Sequence, residues 1–246
     1  MTPSNGPLAK QVAIVTGGGR GFGRAIAETL ASLGANVVIA SRNAPELDEV
    51  AMAIKKQGGK ALAQTADVAD ERQVEELVLA AERWVGPPSI LVNNAGVLDP
   101  IGPLAETSGS SWLRNIAINV GGTYLVTRAV LPGMIDRDYG RIVNISSGAA
   151  DRASAGWSAY CAAKAAVDQL TRVLALELDG SGIAVSAFDP GLVDTAQPSR
   201  VRPPTLQPHG PARVVAYLCL AETKRNGSVL EIGDTEVVAA AEAALG

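Results

Sequence analysis

The sequence is poor in cysteine, histidine and net charge. Its 246 residues include two cysteines, Cys161 and Cys219, and one histidine, His209. Two cysteines so far apart cannot form the disulfide framework of a small secreted domain, which indicates a reducing compartment. The net charge of −4 leaves no basic footprint, so we expect neither nucleic acid nor an anionic membrane as a partner.

The sequence also contains no long apolar run. No stretch is long enough to cross a bilayer, and residues 1–10 do not have the charged-then-apolar layout of a secretion signal. We therefore expect a cytoplasmic protein with a loose N-terminus over residues 1–9. A composition of 47% hydrophobic and 19% charged residues suits a globular enzyme, and the length suits one α/β domain over 1–246. No metal site is predicted.

A glycine-rich turn follows the first apolar run. Lys10–Thr16 has the length of a buried strand, and Gly17–Gly23 separates it from a helical pattern over Arg24–Leu33. A strand, a glycine turn and a helix in this order direct the amides of the helix N-terminus toward a phosphate. The spacing departs from G-x-G-x-x-G, and many tight turns need glycine for backbone reasons alone.

The residues after the second predicted strand indicate which dinucleotide binds. Dinucleotide units that bind NAD usually carry an acidic residue there, whereas this chain has Ser41 and Arg42. Arg42 would accept a 2′-phosphate, and Arg20 would add a second positive charge. A cation at a helix N-terminus is unfavourable without a nearby anion, so Arg20 is easier to explain with phosphate present. An ordinary solvated arginine is the alternative for Arg42, but the sequence favours NADPH over NADH.

The strongest chemical signal lies between Ser147 and Lys164. Tyr160 and Lys164 are four positions apart in a predicted helix, Trp157–Leu178, so the phenol and the ammonium share one face. A nearby cation favours phenolate and should lower the pKa of Tyr160 toward neutrality, which would make it a general acid or base. Ser147 follows a strand-like run, Arg141–Ile145, whose end would bring the hydroxyl to the same crevice.

Each of these features also has a purely structural interpretation. Tyr-x-x-x-Lys is a common surface pair, and a serine at a strand end is more often a turn or a helix cap. Asn119 interrupts the apolar part of a predicted helix, Ser110–Ile135, where a buried asparagine needs partners and often disturbs the backbone ladder. His209 is interpreted as an exposed residue of a proline-rich loop, 196–210, that shapes a substrate site.

Strands and helices alternate along the whole chain. The predicted strands are 10–16, 36–40, 61–66, 89–92, 140–146, 183–188 and 228–232. The predicted helices are 24–33, 45–57, 71–85, 110–135, 157–178 and 211–221, and a short one is expected in the tail, 234–246. This alternation specifies an α/β fold, a doubly wound, mostly parallel sheet of the Rossmann type with helices on both faces. Ligands of such sheets bind at the carboxyl ends of the strands.

Taken together, the motifs resemble the short-chain dehydrogenase/reductase family over nearly the whole chain. Each motif is weak alone, but the ordered set is specific. The resemblance depends on Thr16-Gly17-x-x-x-Gly21-x-Gly23, Asn93-Asn94-Ala95-Gly96, Asn119, Ser147, Tyr160-x-x-x-Lys164 and Pro190-Gly191.

The resemblance implies a role for each matched residue. Tyr160 would protonate the carbonyl oxygen, Lys164 would hold the nicotinamide ribose, and Ser147 would hydrogen-bond the reacting oxygen. Asn119 would seat a water of a proton relay behind Lys164, and Thr195 would meet the carboxamide. The predicted cofactor-binding residues are Gly17, Arg20, Gly21, Phe22, Gly23, Ser41, Arg42, Asp67, Val68, Asn94, Ala95, Gly96, Tyr160, Lys164, Pro190, Gly191, Val193 and Thr195.

Two short segments carry a narrower resemblance. Gly156–Cys161 and Pro190–Thr195, with Arg202, are similar to the sepiapterin reductase and benzil reductase branch, whose members reduce α-dicarbonyls and related ketones with NADPH. Glu231 is the nearest counterpart of the acid that anchors the pterin in that branch. The last strand lacks the Gly-Gly ending common in the family, which leaves the C-terminal association open.

The sequence thus predicts an NADPH-dependent carbonyl reductase acting on a small ketone, diketone or secondary alcohol. Two alternatives stay open: an NAD(H)-dependent alcohol dehydrogenase of the same family, and a dinucleotide-binding regulatory protein without turnover. The resemblance also implies a homodimer or homotetramer that associates through the predicted helices 110–135 and 157–178.

Overall fold

A computed structural model describes residues 5–193, 206–223 and 225–246. In these ranges seven parallel strands form one sheet in the order β3-β2-β1-β4-β5-β6-β7. The strands are β1 (Val12–Thr16), β2 (Asn36–Ser41), β3 (Lys60–Thr65), β4 (Ile90–Asn93), β5 (Gly140–Ile145), β6 (Ile183–Asp189) and β7 (Val229–Glu231). The helices are α1 (Gly21–Ser32), α2 (Ala44–Lys56), α3 (Glu71–Val85), α4 (Gly109–Ile116), α5 (Gly122–Asp136), α6 (Ser158–Glu177), α7 (His209–Leu218) and α8 (Thr235–Leu245).

Helices cover both faces of the sheet, which is why the central strands are continuous apolar runs. Alternate residues of β1 point to opposite faces, so Ile14 packs with α3, α5 and α6 while Val15 packs with α1, α2, α7 and α8. Both side chains are fully buried. The predicted doubly wound α/β fold is therefore confirmed. Within the described ranges, no helix combines the length and the apolar character needed to cross a bilayer.

Several predicted boundaries move by a few residues. Helix α1 begins at Gly21 instead of Arg24, directly after Arg20, whose backbone is extended. His209 is the first residue of α7 and does not belong to the preceding loop. These shifts have one cause, since a glycine or a polar residue at the first turn of a helix breaks the apolar pattern without breaking the helix.

The predicted loose N-terminus is wrong for the described residues nearest the sheet. Leu8 is 1% exposed, and its N–H donates to the carbonyl of Leu33 at 3.0 Å. A Cβ on Gly6 would lie 2.1 Å from that same carbonyl oxygen. A single leucine among polar and small residues gives too short a pattern to predict this packing from sequence.

The predicted helix Ser110–Ile135 is interrupted at Asn119. Residues Ala117–Gly121 form a π-helical segment between α4 and α5. The Asn119 side-chain amide donates to the Asn115 carbonyl at 3.2 Å, and the Asn119 carbonyl accepts from Thr123 Oγ1 at 2.8 Å. Such side-chain competition for backbone groups explains the local widening, and π segments are frequent at functional sites.

The strand order reverses between β1 and β4. The chain runs from β1 outward to β3 and then returns to β4 on the other side of β1. The loops leaving β1 and β4 therefore diverge and open a crevice at the carboxyl edge, which is where ligands of this fold bind.

A buried arginine ties β5 to the end of α7. Arg141 is 6% exposed, and its guanidinium stacks over the Tyr139 ring at 4.8 Å from the centroid. Its donors lie 2.5–3.0 Å from four backbone carbonyls, those of Gly140, Gly182, Leu220 and Ala221. A planar fork of donors is suited to this task, and an ammonium is not.

We predict that Arg141→Lys lowers the free energy of unfolding by about 2–4 kcal/mol, because at least one buried carbonyl loses its donor. Urea denaturation followed by circular dichroism measures the change. Arg137→Lys is the control, since Arg137 makes a single bond to the Pro88 carbonyl at 2.7 Å. Equal stability of the two variants would contradict this interpretation of Arg141.

Candidate active site

A cleft of about 390 Å³ opens at the carboxyl edge around the ends of β1 to β4. Twelve of the predicted cofactor-binding residues line it: Gly17, Arg20, Gly21, Phe22, Gly23, Ser41, Arg42, Asp67, Val68, Asn94, Ala95 and Gly96. Seven further lining residues were not predicted: Gly19, Ala40, Asn43, Glu46, Ala66, Val97 and Ile118. Most of these seven are small or apolar and give no chemical signal in a sequence.

The glycine turn brings the N-terminus of α1 against the loop after β4. A Cβ on Gly23 would lie 2.1 Å from the Gly17 carbonyl oxygen and 2.4 Å from Asn94 Nδ2. Asn94 Nδ2 donates to the carbonyls of Thr16 and Gly17 at 2.9 and 3.2 Å. Only glycine fits at position 23, so the close approach of turn, helix and loop requires it.

The same turn places the first residues of α1, Gly21, Phe22 and Gly23, in the lining of the cleft. No side chain caps this helix at Arg20, and its first turn carries no acidic residue. Uncapped amides at a helix N-terminus, with the positive end of the helix dipole, form a site for phosphate. The residues present therefore fit the pyrophosphate of a dinucleotide.

The far end of the cleft is rich in charge. Arg42 and Asn43 are exposed, and Ser41 Oγ accepts the Asn43 N–H at 3.2 Å. Arg20 Nη1 lies 3.8 Å from Glu46 Oε1 across the cleft. Two arginines and one glutamate thus line this end of the cleft.

Asp67 follows β3 and is bound by groups of the protein. Its carboxylate accepts the Ala69 N–H at 3.0 Å and an Arg114 N–H at 2.6 Å. Burial alone would raise the pKa of Asp67, but these two donors outweigh burial and leave the pKa below its ordinary value. Asp67 therefore contributes a fixed negative charge to the wall of the cleft.

Helix α6 brings Tyr160 and Lys164 to the end of β5. Lys164 is 6% exposed, and its Nζ donates to the Ile145 carbonyl at 2.6 Å. The same Nζ lies 5.6 Å from the centroid of the Tyr160 ring, whose edge also packs against Trp157. The phenol and the ammonium share one helix face, as their spacing predicts.

Ser147 caps a turn and lies next to Tyr160, while its contact with a reacting oxygen stays a prediction. Its Oγ accepts the Ala149 N–H at 3.2 Å and so caps the short 3₁₀ turn after β5. It also lies close enough to the Tyr160 hydroxyl to lower the pKa of that phenol. Capping and contact with Tyr160 are compatible, because a hydroxyl has two acceptor lone pairs and one proton to donate.

The prediction that the pKa of Tyr160 is lowered toward neutrality is wrong for this geometry. Burial raises the pKa of Tyr160 to about 12, although the nearby Ser147 hydroxyl lowers it in part. Burial likewise lowers the pKa of Lys164 to about 8, against the attraction of Asp168 and Asp189. Loss of water around both groups dominates here, and the sequence gives no measure of that loss.

The side chain of Asn119 is fully engaged by its neighbours. Its Oδ1 accepts the Val97 N–H at 3.2 Å, and its Nδ2 donates to the Val97 carbonyl at 2.9 Å and to Asn115 Oδ1 at 2.8 Å. Asn119 therefore anchors the loop after β4 to the π segment. The water-seating role implied by the resemblance stays a prediction.

The remaining predicted residues lie after β6. Pro190, Gly191 and Val193 stand at the carboxyl edge but outside the lining of the cleft, and Gly191 donates its N–H to Asp189 Oδ1 at 2.9 Å. Glu231 ends β7 beside Asp189 in the register of the sheet. Thr195, Arg202 and 194–205 as a whole lie outside the described residues.

Asp168 is a buried acid that the sequence interpretation missed. It is 2% exposed, and its Oδ1 has no hydrogen-bond partner among the described residues. Burial raises its pKa more than Ser146, Arg172 and Lys164 lower it. Its position four residues after Lys164 was a usable signal, because it places the carboxyl on the same helix face.

Comparison with known proteins decides which family has this site. Residues 11–205 match the family described as short chain dehydrogenase. The chain belongs to the short-chain dehydrogenase/reductase family. Members of this family are oxidoreductases that bind a nicotinamide dinucleotide and act on CH–OH or C=O groups.

Individual relatives agree with this membership. A short chain dehydrogenase of Pseudocercospora fijiensis is 38% identical over 192 residues, which are 77% of this chain and 62% of that protein. A short-chain type dehydrogenase/reductase of Picea abies is 43% identical over 196 residues, 76% of this chain and 72% of that one. The chain thus spans less than two thirds of the length of the first of these family members.

Two solved structures of family members have the same fold. Levodione reductase superposes with a TM-score of 0.86 and 29% identity, over 94% of this chain and 98% of that one. A variant of actinorhodin polyketide ketoreductase with NADPH superposes with a TM-score of 0.83 and 31% identity, over 90% and 95% of the two chains. The similarity therefore includes the elements that position the site.

We predict that Asp168→Asn raises the melting temperature at pH 8 by about 2–4 °C. In a chain of this size, that rise corresponds to a gain of roughly 1 kcal/mol in the free energy of unfolding. The carboxyl of Asp168 has a folded pKa above its unfolded value, so its charge destabilises the fold at high pH. That penalty falls as pH drops through the window between the folded pKa and the lower unfolded pKa, because the carboxyl becomes protonated first in the folded state.

Melting curves at pH 8 and pH 5 measure the effect, and the gain should be smaller at pH 5. Asp136→Asn is the control, because Asp136 is exposed at the end of α5. An equal gain in melting temperature at both pH values would show that the charge of Asp168 is not the cause of the gain.

Proposed function

We propose that the protein is an NADPH-dependent carbonyl reductase of ketones or diketones. The observation that supports this most is the proximity of Tyr160 to both Ser147 and Lys164 at the carboxyl end of β5. A proton donor, an oxygen-binding hydroxyl and a cation are the groups that carbonyl reduction needs from a protein.

The state of Tyr160 suits proton donation. When bound, the nicotinamide supplies the hydride, and the chain must supply the proton that the carbonyl oxygen gains. With a pKa of about 12, the Tyr160 hydroxyl retains its proton at neutral pH and can donate it. Lys164, with a pKa of about 8, carries a positive charge at neutral pH and stabilises the phenolate left behind.

Ser147 is oriented by its own capping contact. Its Oγ already accepts the Ala149 N–H, so its proton can be donated to a substrate oxygen. A donor aimed at the oxygen where negative charge develops lowers the barrier, because the site needs no rearrangement during the reaction. Ser147 and Tyr160 would therefore bind the same oxygen atom from two sides.

The charges of the cleft support the proposal that it binds the 2′-phosphate of NADPH. Arg42 is exposed at the end of β2, and Arg20 lies across the same end of the cleft. Guanidinium groups bind phosphate oxygens with paired donors. The NADPH in the structure of the similar ketoreductase supports the same preference.

Exposed apolar residues in the segment after β4 support the proposal that the substrate is a carbonyl compound with hydrocarbon character. Ile101 and Leu104 are exposed in the segment after β4. The Gly102 N–H donates to the Gly156 carbonyl at 3.0 Å, which joins this segment to the turn that leads to Tyr160. The similarity to levodione reductase and to a polyketide ketoreductase is in keeping with ketone or diketone substrates.

A second copy of the chain is the partner we propose. An apolar groove between α5 and α6 is lined by Tyr124, Leu131, Ile135, Leu170 and Val173. Exposed apolar surface of this kind marks an interface, and association through these helices is what the family resemblance implies. Light scattering would distinguish a monomer from a homodimer or homotetramer.

We predict that Tyr160→Phe lowers the rate of ketone reduction at least about 100-fold, the usual contribution of a general acid. NADPH oxidation with a panel of ketones and diketones measures the rate, and fluorescence titration separates a loss of rate from a loss of NADPH binding. Tyr139→Phe is the control, since Tyr139 precedes β5 at the opposite edge of the sheet. Equal activity of wild type and Tyr160→Phe would remove Tyr160 from the reaction.

We also predict that Arg42→Asp weakens NADPH binding about tenfold or more relative to NADH, the effect of losing a charged bond worth about 1.5–3 kcal/mol. Dissociation constants of both dinucleotides give the ratio. Arg72→Asp serves as the comparison, because Arg72 pairs with Glu76 on α3 outside the cleft. A ratio that Arg42→Asp does not change would exclude Arg42 as the 2′-phosphate ligand.

A further inference from the structure

We propose that Glu46 is a specificity-determining residue that limits the preference for NADPH by competing with the 2′-phosphate for Arg20. The inference rests on the proposed 2′-phosphate site but concerns a residue of opposite charge. Glu46 lines the cleft together with Arg20, Ser41 and Arg42.

The position of Glu46 is fixed by the glycine turn and by α2. A Cβ on Gly19 would lie 3.2 Å from Glu46 Cβ and 3.2 Å from Ser41 Oγ, so the glutamate packs directly against the turn. Its carboxylate lies 3.8 Å from Arg20 Nη1, and 32% of its side chain is exposed. The carboxylate is therefore partly shielded and directed at one of the two arginines that we assign to phosphate binding.

Two positive features stabilise the Glu46 carboxylate where it is. The first is the Arg20 guanidinium. The second is the N-terminal turn of α2, where Glu46 is the acidic residue and where Asn43 makes no side-chain cap. Glu46 thus supplies an anionic partner for Arg20 at this end of the cleft.

An arriving 2′-phosphate meets this carboxylate as a like charge. The phosphate carries about two negative charges, so it must share Arg20 with Glu46. Repulsion between the phosphate and the Glu46 carboxylate weakens NADPH binding, and NADH has no 2′-phosphate to be repelled. NADH brings ribose hydroxyls, and a carboxylate accepts hydrogen bonds from hydroxyls. Glu46 therefore weakens the binding of NADPH and leaves the binding of NADH unchanged or stronger. Arg42 has the opposite effect, because it strengthens the binding of NADPH.

The exposure of the pair limits the size of the effect. Side-chain exposures of 52% for Arg20 and 32% for Glu46 allow solvent and salt to screen the charges. We therefore expect a severalfold change in affinity and a clear dependence on ionic strength.

The chain offers a matched control on the same helix. Glu49 is one turn further along α2 and pairs with Arg24 of α1 at 2.7 Å, with 68% of its side chain exposed. It does not belong to the lining of the cleft. Neutralising Glu49 removes the same charge from the same helix without changing a residue of the cleft lining.

The experiment compares wild type, Glu46→Gln and Glu49→Gln by calorimetric titration at low and high salt. The probes are NADPH, NADH, adenosine 2′,5′-bisphosphate and AMP. We expect Glu46→Gln to bind NADPH and the bisphosphate about three- to tenfold more tightly, with NADH and AMP unchanged or weaker, and the gain to shrink at high salt. Glu46→Ala should change affinities in the same direction, and Glu49→Gln should match wild type.

Two results would overturn the inference. One is unchanged affinity of Glu46→Gln for both 2′-phosphorylated probes, and the other is equal tightening of phosphorylated and unphosphorylated probes. Failure of the proposed function has a different signature, namely a wild type that prefers NADH and whose preference Arg42→Asp does not alter. The bisphosphate titration tests Glu46 in that case as well, because it measures the competing charge without any turnover.

Discussion

The bond from Lys164 Nζ to the Ile145 carbonyl, at 2.6 Å, is the contact on which the site depends. It attaches the first turns of α6 to the end of β5, so Tyr160 and Ser147 meet although they come from different elements. A buried ammonium is costly to desolvate and has few partners, which makes its position well defined. Deeper in the same interface, Asn144 bonds Thr171 at 2.8 Å and Asn93 at 2.8 Å, which extends this polar attachment below the site.

The sequence predicts those parts of the molecule that depend on repeated patterns. Apolar runs and glycine turns are enough to predict the sheet, the two helical layers and the ends of β1 and β5. This is because a sheet that is buried on both faces can be arranged with its helices in few other ways. The side-chain environment is less predictable. The wide turn at Asn119 and the direction of the Tyr160 pKa depend on which groups lose contact with water, and that follows from packing between elements distant in sequence.

The site combines charges that work against each other. Asp168 lies on the same face of α6 as Lys164 with one carboxylate oxygen unbonded, and Glu46 lies 3.8 Å from Arg20 in the cleft. A fold optimised for stability alone would not bury a carboxyl with an unbonded oxygen or place an acid where we propose that phosphate binds. Their presence is explained if the charges adjust proton affinity and dinucleotide selection, since functional sites commonly break local rules that the rest of a fold obeys.

The bridge between Val193 and Leu206 has a consequence for how this fold can diversify. The Leu206 N–H donates to the Leu192 carbonyl at 3.1 Å, so the chain leaves the sheet after β6 and returns to the same point before α7. With both ends joined, the entropy of closing the intervening segment grows only slowly with its length. The paired backbone at Val193 and Leu206 therefore insulates the sheet and α7 from changes in the number of residues between them, and insertions at this point of the chain cost the fold little free energy.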